Sequence, residues 1–225
     1  VSDNLESRIP APSGDLVKHD AFNDPLLTLK ESIAIAGPLG TPSKMPGFSY
    51  GLPAAECPVG KFLVKVPNSV CSDCYALKGR YVFSNVKDCQ YRRLASLRHP
   101  LWTRALSSMI LIKGHGYFRW HDSGDLQGPW HLELICEVAR RAPGIKFWLP
   151  TREKRTVRAF QNYPPNLAIR VSGAMINGAP PAGFELTSTV ATSNATCPSR
   201  FQDGVCGTCR ACWDPQIPNI SYQRH

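Results

Sequence analysis

Apolar positions along the chain change period several times, and the changes mark its elements. From Ser84 to Leu97, Val86, Leu94 and Leu97 fall at helical spacing beside Arg92, Arg93 and Arg98, and "HPLWTRALSSMILI" predicts a second helix opened by Pro100 near its first turn. The pattern then alternates. "YFRWHD" (117–122) predicts a strand, "GPWHLELICEVARRAPG" a helix, "IKFWLPT" (145–151) a strand and "EKRTVRAFQNY" a short helix. "NLAIRVSG" (166–173) and "FELTSTVAT" (184–192) predict two further strands. Strands joined by helical connections pair in parallel with right-handed crossovers, so the expected class is α/β with a partial TIM-like barrel. Residues 1–55 carry Pro10, Pro12, Pro25, Pro38, Pro42, Pro46 and Pro53, which leaves room for one short helix near "PLLTLKESIAI" and predicts an extended N-terminal arm. The barrel is expected over 56–195 and a Cys-rich metal-binding tail over 196–225.

Parallel sheets gather their chemistry at the carboxyl ends of the strands. Those ends carry His121, Asp122 and Asp125, then Thr151, Arg152 and Glu153, then Arg170 and Ser172. His121, Asp122, Asp125 and Glu153 are the candidate catalytic residues, able to orient a substrate or move protons. Thr151, Arg152, Arg170 and Ser172 are candidate substrate-binding residues, the two arginines suiting a phosphate or a carboxylate. Asp122, Ser123, Asp125 or Thr151 alone would serve equally well as a helix cap. Three such strand ends in succession favour a site.

Charge narrows the partner. The 225 residues hold 26 Lys+Arg against 17 Asp+Glu, a formal charge of +9, which makes nucleic acid or a nucleotide-like ligand the natural partner. "SDCYALKGRYVF" and "KDCQYRRLASLR" interleave aromatic and basic residues, a composition that stacks bases and contacts phosphates, or that forms a helix with a solvated basic face. No apolar run approaches the roughly 18 residues that cross a bilayer, and "VSDNLESRIPAPSGD" has no charged-then-apolar leader pattern. A cytoplasmic protein without a membrane partner is expected. Nine cysteines in a reducing compartment then argue for metal rather than disulfides.

The cysteines fall into two sets. The distal set is Cys197, followed at once by Pro198, with Cys206, Cys209 and Cys212. A Cys-x2-Cys-x2-Cys loop with a remote Cys-Pro matches the ligand pattern of a four-iron cubane cluster. Zinc is the alternative, since four thiolates, or three with His225, satisfy its tetrahedral demand. The proximal set is Cys57, Cys71 and Cys74. Three thiolates on a four-iron cluster leave one iron open to a substrate or cofactor, unless Cys89 closes the site. Cys89 and Cys136 lie in predicted helices, where a cysteine also serves as a small buried hydrophobe. One or two such clusters, fed by an electron donor, would make the chain an enzyme; two structural cysteine sites on a basic surface would make it a binding module.

The segments "PGFSYGLPAAECPVG", "VCSDCYALKGRYVF", "FRWHDSGDLQ", "FWLPTRE", "VSGAM" and "CGTCRACWD", with the tail "ISYQRH", resemble the bacteriophage gene product 88 family over most of residues 45–225. That resemblance implies a phage origin. "CSDCYA", with the strand order, is more distantly similar to radical S-adenosylmethionine enzymes and a phage family like them. The likeness implies an open-iron cluster on Cys57, Cys71 and Cys74, S-adenosylmethionine as its ligand, a radical-SAM-like barrel and modification of nucleic acid. Here 13 residues separate Cys57 from Cys71, where those enzymes have three. "DSGDLQ" (122–127), "LPTRE" and the Cys-rich tail are similar to tRNA-guanine transglycosylases and their DNA-acting relatives, implying base exchange with a structural zinc on Cys206, Cys209, Cys212 and His225. Lys146 stands where those enzymes carry the nucleophilic aspartate.

Overall fold

Six strands form a single sheet in which every neighbouring pair is parallel and the spatial order follows the chain order. They are β1 (Phe48–Tyr50), β2 (Tyr117–Trp120), β3 (Lys146–Thr151), β4 (Leu167–Ile176), β5 (Thr187–Ala191) and β6 (Asn219–Gln223). This computed structural model describes residues 24–224, so the first part of the expected arm and His225 lie outside the described residues. The helices are α1 (Leu29–Ala36), α2 (Gly60–Leu63), α3 (Ser84–Ser96), α4 (Trp102–Lys113), α5 (Pro129–Arg141) and α6 (Lys154–Ala159).

Local chemistry sets the helix ends. The α1 helix opens on a capping box, with the Glu31 amide 3.3 Å from Thr28 Oγ1 and the Thr28 amide 2.9 Å from Glu31 Oε2. Pro129 starts α5, where its missing N–H costs nothing, and Gly114 ends α4 in the left-handed conformation.

Alternation along the strands separates two faces. Phe118 and Trp120 of β2, Phe147 and Leu149 of β3, and Leu167 and Ile169 of β4 pack with Ala36, Leu106, Leu132 and Ile135 into the main core. The α-helical crossovers therefore cover one face, as right-handed connections that always step the same way require. On the other face Trp148 and Ile220 pack against Cys212 and Trp213, so the Cys-rich segment between β5 and β6 covers it.

The sheet does not close. β1 and β6 remain at opposite edges, so the expected TIM-like barrel is realised only as an open six-strand parallel sheet. Both edge strands come from segments not read as strands from sequence: β1 lies within 1–55 and β6 within 196–225. With three residues β1 carries too little alternation to stand out alone, and β6 falls in a segment read for its cysteines. Among the described residues no helix is long and apolar enough to cross a membrane.

Candidate functional site

Past Tyr50 the chain runs through Gly51 and Leu52 directly against the loop that follows β2. The Leu52 amide donates to Ser123 O at 2.9 Å, Ser123 Oγ donates to Leu52 O at 2.7 Å, and Gln90 Nε2 donates to Ser123 Oγ at 2.7 Å. This approach needs two glycines. A Cβ on Gly51 would sit 2.5 Å from Asp122 Oδ1, and one on Gly124, whose φ is +80°, would sit 2.6 Å from Leu52 Cβ.

Asp125 follows in the same loop and is buried. Its Oδ1 accepts from Thr151 Oγ1 at 2.6 Å and from the Leu126 amide at 2.8 Å, and its Oδ2 accepts from the Arg152 amide at 2.9 Å. Burial raises its pKa, and these hydrogen bonds oppose the rise. The Asp125 carboxyl thus ties the end of β2 to the end of β3. Glu153 reaches the other way, its Oε1 accepting from the Val59 amide at 3.0 Å, and burial first and Asp125 second raise its pKa.

That last bond draws in the proximal cysteines. Ser69 caps the short turn Val70–Asp73 by accepting from the Ser72 amide at 2.9 Å, and the Ile176 amide at the end of β4 donates to Asn68 O at 3.0 Å. Cys71 and Cys74 are held there, and Cys57 joins them from the other side of α2. Burial pushes the Cys57 thiol far up; Asp125, Cys74 and Cys71 add to the rise and Arg152 opposes it. Burial likewise raises Cys71, with Arg152 the largest opposing influence. A Cβ on Gly60 would lie 2.7 Å from Cys57 Cβ, 3.5 Å from Cys57 Sγ and 3.9 Å from Cys71 Sγ, so a glycine is what lets α2 pack this closely against the two cysteines.

Asp122 is half-buried beside this group. Its carbonyl accepts from the Tyr75 hydroxyl and its Oδ2 from the Tyr81 hydroxyl at 3.2 Å, while Oδ1 is buried without a partner. His121 is placed elsewhere. At φ +52° its ring turns toward the helix layer, 6.3 Å from the Trp120 ring and 5.4 Å from the ring of His131 on α5. Burial, then His131 and Arg119, hold its pKa well below the usual histidine value, so it stays neutral and apart from the thiols.

The distal cysteines lie on the opposite sheet face. The Cys197 amide donates to Ser221 O at 2.9 Å, the Cys206 amide to Lys44 O at 2.8 Å, and Cys212 Sγ lies 3.2 Å from the Tyr222 hydroxyl. Burial raises Cys206 and takes Cys212 up to about 11, and Cys197 acts on both, so these thiols form one neighbourhood with Cys209 beside Cys206. Arg170, expected to meet a substrate anion, is fully buried and holds this segment instead. Its Nε donates to Cys212 O at 3.0 Å, Nη1 to Ile217 O at 2.8 Å and Thr187 O at 3.5 Å, and Nη2 to Asp214 O at 2.7 Å and Ala211 O at 3.0 Å. All five donors are spent on carbonyls. Ser172 is also engaged, its hydroxyl 3.0 Å from that of Ser188 across β4 and β5.

Arg119 is the cation that sequence reasoning missed. It projects from β2 onto the same face, with its Cζ 4.7 Å from the Trp148 ring centroid, Nη2 3.4 Å from the Tyr75 hydroxyl and a buried Nε without a partner. Among the described residues it forms no ion pair. A charged residue in the middle of the apolar run "YFRW" was the available signal.

The structure therefore brings Cys57, Cys71, Cys74, Asp122, Asp125, Thr151, Arg152 and Glu153 to one end of the sheet, and places His121, Arg170 and Ser172 outside that group. Among the described residues no three His, Cys, Asp or Glu side chains converge as they would around one metal ion. A family model described as Gene product 88 matches residues 22–193, most of the chain. No curated protein and no solved structure matches it, so the likenesses to radical S-adenosylmethionine enzymes and to transglycosylases have no counterpart in these comparisons.

Proposed function

The chain belongs to the gene product 88 family, and we propose that it is an iron–sulfur enzyme that modifies nucleic acid, with Cys57, Cys71 and Cys74 holding an open-iron cluster. One observation carries the reading: cysteines from two separate segments share a neighbourhood at the carboxyl end of a parallel sheet, beside Asp125, Arg152 and Glu153, and a bound cluster would have to draw their sulfurs together. The donor set suits such a group. Burial raises the Cys57 and Cys71 thiols, and metal charge is what converts such thiols to thiolate ligands. When bound, a cluster with an open iron supplies an electron to a ligand such as S-adenosylmethionine.

The chain's own residues then have separable tasks. Asp125 locks the β2 and β3 ends together through three accepted hydrogen bonds. Glu153 anchors the Cys57 segment through the Val59 amide, and its raised pKa suits it to hold a proton. Asp122 offers an unpartnered buried oxygen, and Arg119 offers a guanidinium for an anionic group of the substrate. The distal cysteines would hold a second cluster or a zinc that stiffens the segment between β5 and β6.

The test is metal and sulfide content with an absorption spectrum on the full chain purified without oxygen. About four irons with matching sulfide that vanish in Cys71→Ala would assign the proximal set, and about eight would place a cluster at each set. Cluster-dependent cleavage of S-adenosylmethionine under reducing conditions is the expected activity. Zinc without iron would overturn the reading and favour base exchange or a binding module.

A further inference from the structure

The segment that carries the proximal cysteines also carries most of the large apolar side chains that the fold leaves outside. Phe62 is 67% exposed, Tyr75 49%, Phe83 58% and Tyr91 45%, although rings of this size are normally among the first to be buried. Phe62 lies on α2, Tyr75 on a short turn, Phe83 at the start of α3 and Tyr91 in its middle. Tyr75 directly follows Cys74, and its ring meets that of Tyr81 edge-on with centroids 5.6 Å apart.

The charge on this surface is one-sided. Between Lys61 and Arg92 the exposed cations are Lys61, Lys65, Lys78, Arg80, Lys87 and Arg92, the last donating to Ile33 O at 3.0 Å, against Asp73, Asp88 and the nearby Glu56, which accepts from the Tyr91 hydroxyl at 3.2 Å. Asp73 is already paired with Lys78, and Lys61 lies 5.5 Å over the Phe62 ring. An apolar patch for another protein or for a second copy of this chain has no need of such a cationic rim. Rings interleaved with cations match a ligand that presents flat apolar faces on an anionic backbone.

We infer that this surface binds single-stranded nucleic acid, with unpaired bases stacked on Phe83, Tyr75 and their neighbours and phosphates on the lysines and arginines between them. A duplex hides the faces of its bases, so it would meet only the cations. A base lying on Tyr75 sits beside the proximal thiols. The inference rests on the enzyme reading for its purpose, and on exposure and charge alone for its substance.

The experiment is fluorescence anisotropy of the full chain with one labelled oligonucleotide of mixed sequence, offered single-stranded and as its duplex over a range of salt. The single strand is expected to bind more tightly, and Phe83→Ala to weaken it about tenfold while leaving the duplex unchanged. Arg80→Ala and Lys87→Ala are each expected to flatten the salt slope by about 0.7, one phosphate each. Phe62→Ala is a second aromatic probe at a still more exposed position. Equal affinity for both forms, or no effect of either aromatic change, would reduce the surface to a backbone-only contact and overturn the stacking. No binding at low salt, or a concentration-dependent dimer that Phe83→Ala dissolves, would hand the patch to a second copy. An iron-free chain that binds the single strand keeps this inference and loses the cluster; an iron-loaded chain that ignores the oligonucleotide does the reverse.

Discussion

Replacing Arg170 tests whether the Cys-rich segment is held from beneath by one buried side chain. In Arg170→Met a side chain of similar length keeps the apolar packing, but the carbonyls of Cys212 and Ile217, now 3.0 and 2.8 Å from a guanidinium nitrogen, lose their donors, while those of Ala211 and Asp214 keep the Asp214 and Ile217 amides at 3.1 and 3.3 Å. A buried acceptor left unsatisfied costs about 1–3 kcal/mol, and such losses around one side chain do not add in full. With two carbonyls left unsatisfied, a net destabilisation of about 2–4 kcal/mol is expected. Arg170→Lys keeps the charge but has a single nitrogen and cannot span five carbonyls, so about 2 kcal/mol is expected. Urea unfolding measures both. Maleimide labelling read by mass spectrometry supplies the local signal: Cys206, Cys209 and Cys212 should label faster in Arg170→Lys, whereas Cys136, buried in the main core, should not change. Unfolding of Arg170→Met within about 1 kcal/mol of the parent, or unchanged labelling of the distal thiols, would refute the clamp.

Three other positions give further outcomes. Gly124→Ala should cost at least about 2 kcal/mol, because φ is +80° and the new Cβ would meet Leu52 Cβ at 2.6 Å and Leu52 O at 2.8 Å. Gly79→Ala, at φ +58° with nothing within 4 Å, should cost only the left-handed strain of about 1–2 kcal/mol, and equal urea midpoints for the two would contradict the close approach. His131 is held neutral at about 3, chiefly by burial, against 6.5 in the unfolded chain. Below pH 6.5 the unfolded state takes up a proton that the native state refuses, so stability falls as pH falls, by about 2 kcal/mol from this group at pH 5. His131→Phe should shrink the loss between pH 7.5 and pH 5, and an unchanged difference in urea midpoints would remove His131 as the cause.

The helices α3 to α6 and the strands β2 to β5 were readable from apolar period alone, because each is long or strongly patterned enough to carry its own signal. Both cysteine sets and the polar strand ends were readable from spacing. Partner choice inside the fold was not. Arg152 and Arg170 follow successive strand patterns and look alike in one dimension, yet the first retains a buried Nε without a partner and the second has every donor filled by the distal segment. His121 and Asp122 are adjacent, yet a positive φ at His121 sends one ring into the helix layer and leaves the other side chain beside the thiols.

Legible in one dimension were the α/β class, the two thiol sets, the basic charge and the likeness to a phage family that the family match bears out. These follow from local period and spacing. Three-dimensional packing settles that the sheet stays open, that segments read as an arm and a tail supply its two edges, and that Arg119, unlike Arg170, has no carbonyl partner among the described residues. Each of those outcomes depends on contacts between residues dozens of positions apart, Arg170 with Ile217 or Leu52 with Ser123, and no local pattern encodes them.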